Sequence, residues 1–371
     1  MSDQSKNRPS EPRLSKTLGE DIRHGDLVRT LRRDWDELKE FYLDQDRKQR
    51  LQVLGRLKRF FVMSWWLLKA LLLRLTPLRR VLLLLGIFLI IQSGSITFRA
   101  DQLVIDTGDL GKIGSVLLLF VLMLELKDKL LAQSELQAGR SVQRALLPTD
   151  NPKVAGWELW LSTRPANEVG GDLVDYLVID ATRLGVVLGD VAGKGLRAAL
   201  LMVKLQATLR ALAADFTSLA ELGTKLNTIL RRDGLPDSFA SMVYVEVRPN
   251  SGHLRLLNAG HMPPLLLKDA GITEMPRGAA ALGVLAEAAF VEQTIELKRG
   301  EILLVYSDGL TEARNEAGTF FGEERLMSLL PTLRGLSAAE IGTRLLGEID
   351  AFVGAAKAHD DLSLIVLRHT T

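Results

Sequence analysis

Four aspartate positions in this chain stand where apolar, strand-like runs begin or end. "NEVGGDLVDY" carries Asp172 behind two glycines, and "VVLGDVAGKG" closes an apolar run at Asp190. "ILLVYSDGLTEA" closes another at Asp308, and "AHDDLSLIVL" opens a third with Asp360 and Asp361. Taken singly, each acid reads as a turn residue or a helix cap, since Gly-Asp pairs are common turn chemistry. Together they read as a site. Converging carboxylates repel unless cations bind between them. Oxygen-only donors select hard ions such as Mg²⁺ or Mn²⁺ over Zn²⁺. Glycines beside Asp172, Asp190 and Asp308 leave room for backbone carbonyls and metal-bound waters.

What the chain lacks bounds its chemistry. Its 371 residues include no cysteine, which excludes disulfides, thiolate metal sites and cysteine nucleophiles and fits a reducing compartment. The formal net charge is only +2, so no global basic field argues for nucleic acid. "GDVAGKG" is not a nucleotide-binding loop. A Walker motif needs four residues between its glycines and Ser or Thr after the lysine. Here Gly189 and Gly193 enclose three residues, and Gly195 follows Lys194.

The acids need a frame. From Trp157 onward, short β-type runs ("WELWLST", "LVDYLVID", "RLGVVLGD") are separated by turn residues. Amphipathic patterns predict helices over 195–214 and 218–232, and strands over 240–248, 253–258, 264–267, 291–297 and 301–307. Helices near 322–333 and 337–354 precede a last strand over 362–368. Adjacent short strands with helices in long excursions predict an α+β fold of mostly antiparallel sheets rather than alternating βαβ units.

The first part of the chain is different in kind. Arg47 to Arg80 holds ten Lys or Arg and no acid. "FFVMSWWLLKALLLRL" within it reads as a basic interfacial helix, residues 59–76. Val81 to Phe98 is uncharged and Ile113 to Leu124 is a second apolar run, from which a two-helix transmembrane hairpin over 77–126 is expected. The balance of Lys and Arg around it places residues 1–58 and the part after the hairpin in the cytoplasm, at the inner (plasma) membrane. Residues 127–148 read as a linker helix with a partial heptad pattern. Such a helix is either a spacer or a pairing element in a homodimer.

Residues from about 136 to 368 resemble the bacterial stage II sporulation protein E type of serine/threonine phosphatase, within the metal-dependent protein phosphatase 2C superfamily. "QRALLP", "EVGGDLVDY", "GDVAGKGLRAALLM", "NAGHMPPLLL", "SDGLTEARN", "FGEERL" and "DDLSLIVL" carry the resemblance, in the family's order. It implies an αββα sandwich over 149–371 with two Mn²⁺ or Mg²⁺ ions at one end. It also implies phosphoserine or phosphothreonine proteins as substrates, small anti-anti-sigma-type domains among them. Carried over by position, Asp172 and Asp190 bind or bridge the ions with the Val191 carbonyl, and Asp308 and Asp360 complete the shells. Asp361 belongs to the same metal group as a support from the neighbouring place, while Asp175 fits the motif as a structural residue. The ions then activate a water for in-line attack on phosphorus.

Two departures from the superfamily stand out. Eukaryotic members have a His two residues after the second Asp and a phosphate-binding Arg near the first, where this chain has Ala192 and Asn167. His359 is either a proton donor or a solvated residue at a strand entry, and His261 reads as a turn residue. Lys194 either reaches phosphate or is solvated. Against the phosphatase stand two other readings, a catalytically silent scaffold that binds a phosphoprotein and a small-molecule phosphoesterase.

Overall fold

A computed structural model describes residues 55–93, 108–233 and 238–371. The chain divides into two compact units, Met1–Lys129 and Leu130–Thr371.

In the first unit, helix α1 spans Arg56–Arg74 and α2 spans Pro77–Gln92. The break between them is local chemistry, because Pro77 sits at the first turn of α2 and cannot extend α1. The Arg80 guanidinium donates to the carbonyls of Leu72, Leu73 and Leu75 at 3.0, 3.2 and 3.1 Å, which satisfies the orphan end of α1. Helix α3 then runs unbroken over Gly108–Leu146. It passes α2 at a glycine crossing, where a Cβ on Gly114 would stand 2.6 Å from the Gly86 carbonyl.

The transmembrane hairpin expected over 77–126 is overturned, and the inner-membrane localisation that rested on it falls with it. Among the described residues no helix is long and apolar enough to cross a membrane. Helix α2 has 16 residues, or about 24 Å at 1.5 Å per residue, against roughly 30 Å of hydrocarbon. It stops because Ser93 folds back, its N–H and Oγ donating to the Ile90 carbonyl at 3.2 and 2.7 Å. The second apolar run is a 12-residue stretch (113–124) inside a 39-residue helix flanked by Lys112 and Glu125. The expected segment 1–58 lies outside the described residues up to 54, and so do residues 94–107 of the expected hairpin.

In the second unit, ten strands among the described residues form two sheets. Strands β1 (Trp157–Arg164), β2 (Leu173–Asp180) and β3 (Arg183–Val191) come first. Helices α4 (Leu196–Leu212) and α5 (Leu219–Asp233) follow. Next come β4 (Ala240–Val247), β5 (His253–Ala259), β6 (Leu265–Lys268), β7 (Gly271–Glu274), β8 (Glu292–Glu296) and β9 (Ile302–Tyr306). Short helices α6 (Asp308–Thr311) and α7 (Glu323–Leu329), the longer α8 (Ala338–Val353) and strand β10 (Leu362–His369) complete the unit.

One sheet has the order β1-β10-β9-β6-β7 and the other β2-β3-β4-β5-β8. Every pairing between neighbouring strands is antiparallel. Side-chain alternation builds the layers. On β3, Val186 and Leu188 face the inter-sheet core while Val187 packs with Met202, Leu205 and Leu226 of α4 and α5. On β10, Ile365 and Leu367 face inward while Leu364 and Val366 meet Ile341 and Leu345 of α8. The result is helix, sheet, sheet, helix, as the expected α+β sandwich requires. α8 starts where the sequence signals it, with a capping box in which Ser337 and Glu340 exchange hydrogen bonds.

Candidate active site

The aspartates gather where ends of the two sheets meet. Asp190 lies in β3 of one sheet, and Asp172 enters that sheet just ahead of β2. Asp308 follows β9 and Asp360 precedes β10 of the other sheet. Their charges act on one another. Burial first, then the charges of Asp308, Asp360 and Asp361, push the Asp190 carboxyl up to about 6. Burial also pushes Asp172 well above the usual carboxylate range, with Asp190 and Asp361 adding to it and the Ser363 and Ser307 hydroxyls opposing. Asp308 is raised by burial, Asp360 and Glu312, against the Gly309 N–H and the Lys194 charge. This is desolvation plus like-charge crowding.

Asp172 is 5% exposed, and among the described residues its buried Oδ2 has no hydrogen-bond partner. Buried carboxylate oxygens are rarely left so. The Val191 carbonyl faces the same loop, 3.2 Å from where a Cβ on Gly171 would stand. Among the described residues no three acids form a ready-made cation cage. The donor set is nonetheless all oxygen, crowded and partly unpartnered, which fits a hard divalent cation that draws the carboxylates together.

Asp361 is used differently. Its Oδ1 accepts the Ala166 N–H at 2.8 Å, and its Oδ2 accepts those of Gly171 at 2.6 Å and Asp172 at 3.3 Å. At about 1.5–3 kcal/mol for each bond to a charged group, this carboxylate is the anchor of the loop that delivers Asp172. The anchor explains the glycine pair: a Cβ on Gly170 would lie 2.6 Å from Asp361 Oδ2. Gly309 is needed similarly, because a Cβ there would collide with the Asp361 carbonyl. Close approach, rather than a left-handed backbone, is what these three glycines supply.

The same loop is held from its other side by the last turns of α3. The Gln143 amide pairs with Gly170, donating from Nε2 to its carbonyl at 2.7 Å and accepting its N–H on Oε1 at 3.1 Å. Arg140 meets Glu168 at 2.8 Å. Asp175 is structural, as expected, fully buried with Arg210 Nε and Nη2 both at 2.7 Å. Gln206 donates to Asp175 and also to the Leu146 carbonyl, each at 2.8 Å, which ties the end of α3 to α4.

His261 is no simple turn residue. Its buried ring lies between the sheets' site-bearing ends, with Nδ1 2.8 Å from Ser241 Oγ and Nε2 3.2 Å from the Tyr306 carbonyl. Ser241 pairs with Asp190 across β4 and β3, and Tyr306 ends β9 two residues before Asp308. Burial lowers the His261 imidazole to about 4. It is therefore neutral near pH 7, donating from Nε2 to the carbonyl and accepting the serine hydroxyl on Nδ1. His359 is exposed and offers its carbonyl to Lys194.

Residues 180–370 match the family model of Stage II sporulation protein E (SpoIIE). The chain belongs to the SpoIIE family. Protein IcfG of Synechocystis sp. is 26% identical over 261 residues, 63% of this chain and 41% of IcfG. Phosphoserine phosphatase RsbU of Bacillus subtilis is 26% identical over 238 residues, 64% of this chain and 70% of RsbU. The chain thus spans less than half of IcfG. Its fold is similar to that of the SiaA-PP2C domain of Pseudomonas aeruginosa, at a TM-score of 0.57 and 20% identity, covering 65% of this chain and 98% of that one. SpoIIE membership agrees with the sandwich and with the order of the acidic motifs along it.

Proposed function

We propose that this chain is a metal-dependent protein-serine/threonine phosphatase acting on phosphoserine or phosphothreonine of a signalling protein, with anti-anti-sigma-type domains as the substrate class. The observation that carries the reading is the convergence of Asp172, Asp190, Asp308 and Asp360 from both sheets, with Asp172 Oδ2 buried and unpartnered among the described residues. SpoIIE membership and the likeness to a phosphoserine phosphatase support it. In this reading the four carboxylates and the Val191 carbonyl hold two Mn²⁺ or Mg²⁺ ions. Bound there, the ions would supply a hydroxide-like water near neutral pH and offset the phosphate's charge. The chain's own part is placement. Asp361 and Gln143 fix the loop of Asp172, and His261 fixes the strand ends that carry Asp190 and Asp308.

Regulation is assigned to α3. Leu126, Leu130 and Leu131 are exposed, which supports pairing of two chains along this helix, and its last turns grip the loop of Asp172. An element with two packings would link pairing to activity.

The test is phosphate release by the full chain from a phosphorylated anti-anti-sigma-type domain. Turnover with Mn²⁺ and none with EDTA is expected. Undiminished turnover in EDTA overturns the metal reading. Mn²⁺ binding without any turnover identifies a silent scaffold, and turnover confined to small phosphoesters identifies the phosphoesterase.

A further inference from the structure

Lys194 is the cation nearest the acids that the phosphatase reading leaves without a task. It sits between Gly193 (φ 105°) and Gly195 (φ 73°), a left-handed pair of backbones that favours glycine on both sides. A Cβ on either glycine would meet nothing within 4 Å among the described residues, so it is the backbone conformation and not crowding that favours glycine there. The turn thus projects one long side chain over the ends of β3 and β10. Its Nζ lies 2.9 Å from Asp360 Oδ2 and 3.0 Å from the His359 carbonyl, and its charge also reaches Asp308. The pair is about half exposed, with side-chain accessibilities of 53% and 37%, so it is a weak and exchangeable contact.

A divalent cation needs the same Asp360 carboxylate. Lysine and cation therefore compete for one acid. The Lys194 ammonium, once displaced, stays beside the site, because its rotamers keep it tethered to the Gly193–Gly195 turn. What it meets next must be anionic and must lie against the acids, which describes a phosphate monoester held by bound cations. The superfamily's Arg is Asn167 in this chain, so a cation for the phosphate is otherwise missing from the corresponding place.

We propose that Lys194 exchanges partners, holding Asp360 until a divalent cation takes that carboxylate and then binding the phosphate of the substrate. The inference rests on the phosphatase reading and adds to it the residue that recognises the phosphate. Lys194 offers three rotatable donors on a compact ammonium, suited to the oxygens of a phosphate.

The test is calorimetry on the full chain, comparing the parent with Lys194→Met and Lys194→Arg. Mn²⁺ alone is one titrant, and inorganic phosphate added to Mg²⁺-saturated protein is the other. In Lys194→Met, Mn²⁺ is expected to bind about two- to fivefold more tightly, because a weak competitor is gone. Phosphate is expected to bind roughly tenfold more weakly, as a charge-assisted hydrogen bond is lost. Lys194→Arg should retain most of the phosphate affinity. Parent-like Mn²⁺ affinity in Lys194→Met overturns the exchange, and parent-like phosphate affinity overturns the substrate role. A parent that binds no Mn²⁺ overturns the phosphatase reading itself, and this inference with it. Because Lys194 is exposed, unchanged unfolding midpoints in both variants confirm that the comparison is made between folded proteins.

Discussion

Asp172 and Asp361 are neighbours in the site and do opposite work, one offering a bare oxygen and the other spending both oxygens on backbone N–H groups. The difference separates ligand from anchor among acids that look alike in sequence. Asp190→Asn and Asp308→Asn, each removing a charge and almost no volume, should weaken Mn²⁺ binding by at least about 100-fold in calorimetry. Both should unfold at or above the parent's midpoint without metal, since like-charge crowding is relieved. His261 gives a prediction in pH. Its imidazole falls from the usual 6.5 to about 4 on burial, so the folded chain binds that proton less readily than the unfolded chain. The stability contributed by the neutral ring is present above about pH 6.5 and is lost as pH falls toward 4. Urea titrations should show the gap between parent and His261→Gln narrowing by on the order of 3 kcal/mol from pH 7 to pH 4. A gap independent of pH would show that the ring is not held neutral. The acids were legible in sequence because each marks the end of an apolar run. His261 and Gln143 were not, because their partners lie 20 and 27 positions away and no local pattern announces them.

At the scale of elements, α3 shows both the reach and the limit of hydrophobic patterning. Two segments that differ in composition, an apolar run and a charged linker, are one uninterrupted helix, because nothing between Lys112 and Leu146 breaks it. Conversely the uncharged stretch after Val81 promised a longer helix than forms. Counting charges overlooks "QSGS", where Ser93 returns its hydrogen bonds to Ile90 and ends α2. Strands and helices of the second unit were read well, since alternation and amphipathic period are local signals; the short β7 was missed, having no alternation of its own. The grip of α3 on the site predicts that Gln143→Ala, which removes two bonds to Gly170, loses about tenfold in Mn²⁺ affinity. Gln137→Pro should break the same helix, at roughly 3 kcal/mol or more, and change phosphoprotein turnover. Equal turnover for Gln137→Pro and parent, at equal dimer fraction by light scattering, would reduce α3 to a tether.

At the scale of the whole second unit, the class of fold was legible but the order of strands was not. Sequence spacing predicts neighbours joined by short turns, such as β2 with β3 and β4 with β5. It does not predict that β1 lies against β10, whose contacts span 210 positions between Glu158 and Arg368. Only side-chain complementarity between distant strands sets that pairing. It also sets a timetable. During synthesis, β1 emerges early and waits for a partner made some two hundred residues later, and β10 fills an interior place between β1 and β9. Domains of this kind complete only when their last element has left the ribosome. Asp360 and Asp361 arrive immediately ahead of that same strand, so a nascent or prematurely terminated chain that lacks them has neither its anchor for Asp172 nor a completed sheet. Such a chain would present an open strand edge for quality control to recognise.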